Sequence, residues 1–204
     1  MINYLTVLFA ITIIYLAVSE RYIIYSRLLG IQGLILFGMT FAELNEVKMV
    51  DLLFISSETL LFKAIVVPYM LNKIIRNTKV FKVHNNALSG FYSLILIIIS
   101  LLISIFMANI LKNPNINTEF FTIAFFTLFS GLIIIVTHKL IISHLIGFLV
   151  LENSVFIFSM AIGNEMPMLI NIGILLDIFV GVLILGFFGM KLKPNINELT
   201  MLKD

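Results

Sequence analysis

Four ionisable side chains lie inside long apolar runs of this sequence. Glu58 and Lys63 fall in "SSETLLFKAIVVPYML", Glu152 in "GFLVLENSVFIFS" and Asp177 in "NIGILLDIFVG". A charge at the centre of a bilayer costs about 2.5–3.5 kcal/mol on insertion scales, so such groups face protein or water and commonly mark ion pathways. Carboxyls that take up and release protons, biased by a nearby ammonium, are the chemistry these residue types offer. The competing reading is structural. Glu152 and Asp177 would be neutral or paired so as to lock helices together, Lys63 would form a salt bridge or reach an interface along its aliphatic stem, and Glu58 would do the same near the outside.

Whether these residues are intramembrane depends on the elements that carry them. The 204 residues are 61% hydrophobic and 12% charged, with mean hydropathy +1.14. One soluble core cannot hide that much apolar surface, so the chain belongs in a bilayer. It has no Cys, which excludes disulfides, thiolate-held iron–sulfur clusters and Cys-ligated zinc; redox chemistry has to sit on another polypeptide. Apolar stretches long enough to cross occur at about 3–19, 24–43, 52–72, 87–108, 120–137, 141–162 and 167–190. The expected fold is therefore all-α and polytopic, with about seven transmembrane helices. The opening "MINYLTVLFAITIIYLAV" lacks a basic region and a cleavage site before Glu20 and reads as a retained helix.

Basic residues set the orientation. Ten fall on one side: Arg21 and Arg27, the four of "NKIIRNTKVFKVHNN", Lys139, and Lys191, Lys193 and Lys203. Only Lys48 and Lys112 fall on the other, and Lys63 is within a span. The positive-inside rule then places the N-terminus outside and the C-terminus in the cytoplasm, which an odd number of crossings satisfies. The chain divides into an N-terminal three-helix part (1–76), a cytoplasmic connection (77–86) and a C-terminal four-helix part (87–204). "SRLLGIQGLILFGM" from Ser26 and "SHLIGFLVLENSVFIFSM" from Ser143 are similar enough to raise the question of an internal duplication.

Helix arithmetic pairs the rear acids. Glu152 lies twelve residues before Asn164 and Asp177 twelve after Glu165, so an antiparallel hairpin turning there puts both roughly 18 Å from the turn. Two carboxyls at one depth in an apolar setting cannot both stay ionised, and a pair that gains and loses a proton near neutral pH follows. Gly173, Asp177 and Gly181 form a stripe that lets a neighbouring helix approach closely. On an α-helix Glu58 is about 140° from Lys63, so each needs another partner. Ser56 and Thr59 share the Lys63 face, and Pro68 frees a carbonyl one turn later. His138, Lys139 and His144 flank a cytoplasmic turn, where a solvated loop is the default and a way in for protons the alternative. The two histidines are six apart with no third ligand nearby, so no metal site is expected. The nineteen Phe and ten Met read as lipid-facing and packing residues.

The rear segment "HLIGFLVLENSVFIFSMAIGNEMPMLINIGILLDIFVGVLILG" resembles the corresponding part of hydrogenase-4 component E, a membrane subunit of formate hydrogenlyase-type and other energy-converting complexes. Over its last three helices that family is similar to the K subunit of respiratory complex I and the C subunit of multisubunit cation/proton antiporters. In those relatives a glutamate lies in each of two successive helices on the central proton path. The resemblance places Glu152 at the first position and Asp177, an aspartate one methylene shorter, at the second. "LLFKAIVVPYML" resembles the additional N-terminal helices of component E. The resemblance implies a non-catalytic subunit in the cell (inner) membrane, with no cofactor of its own. Its partners would be the bilayer, antiporter-like and other membrane subunits, and peripheral hydrogenase or other redox subunits, with no nucleic acid. Two alternatives stand beside it: a structural linker subunit of such a complex, or a subunit of a cation/proton antiporter or a stand-alone small transporter.

Overall fold

The computed structural model describes residues 2–43, 57–79, 81, 82, 90–111, 116–162, 181 and 186. In an apolar surrounding each segment has to satisfy its own backbone, which favours helix throughout. The elements are α1 (Ile2–Val18), α2 (Tyr22–Glu43), a π-helical segment (Ser57–Val66) running into α3 (Val67–Thr78), α4 (Gly90–Leu111), α5 (Thr118–Thr137) and α6 (Ile141–Ile162). Among the described residues there is no strand; an isolated antiparallel bridge joins Arg21 and Lys82. Among the described residues four helices are long and apolar enough to cross a membrane: Tyr22–Ala42, Gly90–Leu111, Thr118–Thr137 and Ile141–Ile162. α1 is equally apolar but shorter. The span expected at 167–190 lies outside the described residues except for Gly181 and Gly186, both helical; a Cβ on Gly181 would lie 3.9 Å from Leu145 Cδ1 of α6.

Local chemistry sets several boundaries. Asn117 caps α5, its side-chain oxygen accepting from the amides of Glu119 (3.1 Å) and Phe120 (3.4 Å), and Glu119 adds a favourable charge to the first turn. Pro68, which has no N–H to give to the preceding turn, stands in the first turn of α3. The change from π to α geometry comes at that point. α3 ends on Lys79 in the left-handed conformation (φ 56°).

Contacts between distant residues fix the direction of each helix. Tyr22, Gln32 and Thr40 of α2 bond to Ser143, Asn153 and Met160 of α6 in turn, so the two helices run parallel in register. α1 and α5 also start at the same end, where Asn3 Nδ2 donates to Glu119 Oε1 (3.1 Å) and Asn117 N–H to the Ala161 carbonyl at the far end of α6 (2.8 Å). At the opposite end Tyr22 N–H donates to the Phe81 carbonyl (3.2 Å). The Arg21 turn, the Phe81–Lys82 segment and the His138–Ser143 turn thus share one end, which is rich in Lys and Arg. Front and rear parts share a core, with α1 against α4 and α5 and α2 against α6.

Among the described residues two helix pairs approach closely at glycines. A Cβ on Gly33 of α2 would lie 2.7 Å from the Ala64 nitrogen and 2.8 Å from the Lys63 carbonyl carbon. A Cβ on Gly147 of α6 would lie 2.9 Å from the Gly131 carbonyl oxygen of α5. The small residues let backbones touch, as van der Waals packing in a membrane requires. α4 is peripheral: it buries a narrow stripe of Ser93, Ile97, Ser100, Ser104 and Ala108 and leaves Phe91 and Phe106 exposed. The phenylalanines divide between lipid and core, since Phe9, Phe120 and Phe126 are fully buried.

Candidate functional site

Glu152 lies near the middle of α6, eleven residues from Ile141 and ten from Ile162, roughly 15 Å from either end. Its side chain points into protein, 8% exposed, and Glu152 Oε1 is 3.2 Å from Lys63 Nζ, itself 5% exposed. The Lys63 ammonium also sits 4.7 Å from the centre of the Phe156 ring, one turn beyond Glu152 on the same face. A carboxylate on one side and a π-face on the other hold the cation where water is scarce.

Local structure makes this approach possible. Lys63 is on the π-helical segment, whose i→i+5 bonding is rare and typical of functional positions. The 140° separation of Glu58 and Lys63 expected for an α-helix does not apply to this backbone, because the wider turn changes the phase of residues five apart. Gly30 and Gly33 of α2 accept the segment: a Cβ on Gly30 would meet Pro68 Cγ at 3.1 Å and the Ala64 oxygen at 3.2 Å. Ser26 Oγ donates to the Pro68 carbonyl (2.8 Å), tying the start of α3 to α2. The long lysine stem then crosses to α6.

Beside the ion pair is a small pocket of about 10 Å³ lined by Leu29, Lys63, Val67, Leu149, Glu152 and Asn153. Asn153 Nδ2 donates to Gln32 Oε1 (3.1 Å), Gln32 Nε2 to Thr12 Oγ1 (3.1 Å), and Thr12 Oγ1 to the Phe9 carbonyl (2.6 Å). A polar chain therefore runs from the pocket through α6 and α2 to α1, with Gln32 fully buried.

A second cluster occupies the basic end. His138 is buried rather than loop-exposed. Its Nδ1 lies 3.0 Å from the Ile134 carbonyl and 2.9 Å from Thr137 Oγ1. Since Thr137 donates its own proton to the Ile133 carbonyl, Nδ1 carries the hydrogen. Burial holds His138 below the usual imidazole range and nearby His144 adds to that, against the backbone bond to Ile134. His144 is exposed, its Nε2–H donating to the His138 carbonyl (2.8 Å), and Lys139 is also exposed. Tyr25 presents its ring edge-on to His138 at 6.5 Å. Its hydroxyl is buried with no hydrogen-bond partner among the described residues. Tyr22 shares a 2.7 Å hydrogen bond with Ser143.

Of the sequence-expected residues, Lys63 and Glu152 come together, and His138, Lys139 and His144 share the basic end. Thr59, four residues before Lys63, is fully buried. Asp177 lies outside the described residues, as do Gly173, Ser56 and the turn at Asn164–Glu165; only the backbone of Glu58 is described. Sequence reasoning missed Gln32, Thr12, Tyr25 and Phe156. Gln32, an amide between two glycines in "GIQG", was visible as a polar residue within a span. Among the described residues no group of three or more His, Cys, Asp or Glu could hold a metal. No family model, curated protein or solved structure matches this chain.

Proposed function

We propose that the chain is an integral subunit of an energy-converting hydrogenase or formate hydrogenlyase-type membrane complex, and that it carries part of a proton path. In this reading seven helices cross the cell membrane, with the N-terminus outside and the C-terminus in the cytoplasm. Glu152 exchanges the proton, Lys63 biases it, and Asp177 and Glu58 extend the route. His138, Lys139 and His144 receive protons at the basic, cytoplasmic end. Antiporter-like neighbours complete access from both sides, and redox subunits supply the driving reaction. The chain is not an enzyme by itself.

The observation that supports this most is the Lys63–Glu152 pair, 3.2 Å apart and almost wholly buried between apolar helices. A purely stabilising contact is poorly served by such a pair, because desolvation offsets much of the attraction and apolar residues of similar volume often do as well. A pair that changes protonation state has to be ionisable. The resemblance of Leu145–Gly186 to component E supplies the type of complex.

The test is Glu152→Gln in the intact assembly, assayed by proton pumping in inverted membrane vesicles. Normal assembly with lost pumping is expected, whereas unchanged pumping would leave only the linker role. Purification through a tag on this chain is expected to recover antiporter-like and redox subunits with it. A chain recovered alone and transporting in liposomes would overturn the subunit reading.

A further inference from the structure

We infer that the pocket between Lys63, Glu152 and Asn153 is a single-water site, oriented by Gln32, and that the ion it serves is the proton rather than an alkali cation. This rests on the proton-path reading and names the ion that path carries.

The argument begins at the far end of the polar chain. Thr12 has one hydroxyl hydrogen and gives it to the Phe9 carbonyl at 2.6 Å. Towards Gln32 it can therefore act only as an acceptor, so the amide nitrogen of Gln32 faces it, at 3.1 Å. Gln32 Oε1 is then turned to Asn153 and can only accept; Asn153 Nδ2 meets it at 3.1 Å. A helix carbonyl thus fixes the orientation of two amides in succession. With one N–H directed at Gln32, Asn153 keeps its carbonyl oxygen and a second N–H for the pocket it lines, groups that one water can serve as donor and acceptor.

Size and charge select the occupant. A pocket of about 10 Å³ is at the lower limit of what holds one water and has no room for a second. The cation position opposite the carboxylate is already filled from within the chain, because Lys63 Nζ lies 3.2 Å from Glu152 and over the Phe156 ring. An alkali ion would meet that ammonium at close range in a low-dielectric setting. Water meets no such conflict, since it donates to Asn153 Oδ1 and Glu152 and accepts from Lys63. A proton passed from Lys63 through this water to Glu152 leaves a neutral amine, a neutral water and a carboxylic acid, so charge balances and no second cation enters the pocket. Amide N–H groups do not ionise in this range, so Gln32 and Asn153 are positioning residues and the chain towards Thr12 is not a conduit.

Infrared difference spectroscopy on the purified chain in lipid, through an acid titration, tests this. The carboxyl band is assigned to Glu152 by its loss in Glu152→Gln, and the water band by its shift in ¹⁸O-labelled water. The titration midpoint is expected to be the same in sodium-free and sodium-rich buffer. Movement to lower pH by about one unit per tenfold rise in sodium, as one-for-one competition requires, would overturn the inference with wild-type protein alone. The water band is expected to vanish in Asn153→Leu and Gln32→Leu and to persist in Thr6→Ala; its survival in both of the first two would also overturn it. Proton pumping by the assembled complex is a separate measurement, so failure of the water site and failure of the path are distinguishable.

Discussion

Replacing Lys63 by Met leaves the Glu152 carboxylate buried opposite a thioether. At 3.2 Å and an effective dielectric constant near 20, the lost attraction is about 5 kcal/mol. Part of it is offset because the ammonium no longer has to be desolvated, and removing one partner of a buried pair typically costs about 3–5 kcal/mol. For a chain of this size about 3 kcal/mol corresponds to a fall in Tm of roughly 6–12 °C. Glu152→Gln should cost less, since glutamine keeps the shape and an acceptor for the ammonium, yet it still leaves a buried charge unmatched. The double variant Lys63→Met/Glu152→Gln removes both charges. It should be more stable than Lys63→Met, with a coupling of about 2–3 kcal/mol within the range for contacting residues. Thermal unfolding in detergent, followed by circular dichroism, measures all four proteins. Additive single effects, with coupling below about 0.5 kcal/mol, would show that the pair behaves as a solvated contact and would remove the electrostatic basis of the site.

Two further outcomes follow from the packing and from His138. Gly33→Ala forces a methyl against the backbone of Lys63 and Ala64 at 2.7–2.8 Å, an overpacking that costs about 1–3 kcal/mol and moves the π-helical segment off α2. Gly38→Ala, whose methyl would rest 3.5 Å from Leu5 Cδ1, should leave Tm nearly unchanged; equal losses at both positions would refute the close-approach argument. His138 titrates below its unfolded value of 6.5. As pH falls through that value the unfolded chain binds the proton while the folded chain does not, so stability declines. Above it the contribution is constant, and below the folded value the loss is complete. His138→Gln should flatten this acid limb of a Tm-against-pH profile, and an unchanged limb would show that His138 is not its source.

Much of the architecture was legible because membrane insertion is decided locally. Each run of about twenty apolar residues carries its own transfer free energy, and α1, α2, α4, α5 and α6 lie where the hydropathy placed them. Clustered Lys and Arg marked the end that Arg21, Lys82 and His138 share, and the cost of an intramembrane charge singled out Lys63 and Glu152 before any partner was known. What they would touch was not local. The sequence paired Glu152 with Asp177, which lies outside the described residues, by counting along a hairpin; the contact to Lys63 crosses two helices far apart in the chain. It depends on Gly30 and Gly33 admitting a π-helical backbone whose phase no α-helical count anticipates. Gln32 escaped notice because an amide carries no charge to make it conspicuous.

By itself, then, the sequence determined a helical membrane chain, the boundaries of α1, α2, α4, α5 and α6 to within a few residues, its basic end and the ionisable groups that are costly inside a span. All of these follow from short-range transfer energies summed along the chain. The third span, expected to end at 72, runs on to Thr78. Only the tertiary structure decided that Lys63 faces Glu152, that Asn153 and Gln32 form a polar chain beside them, and that His138 is buried against Tyr25. Those pairings depend on which helix faces meet, and a glycine or a proline several turns away sets that as much as the paired residues do.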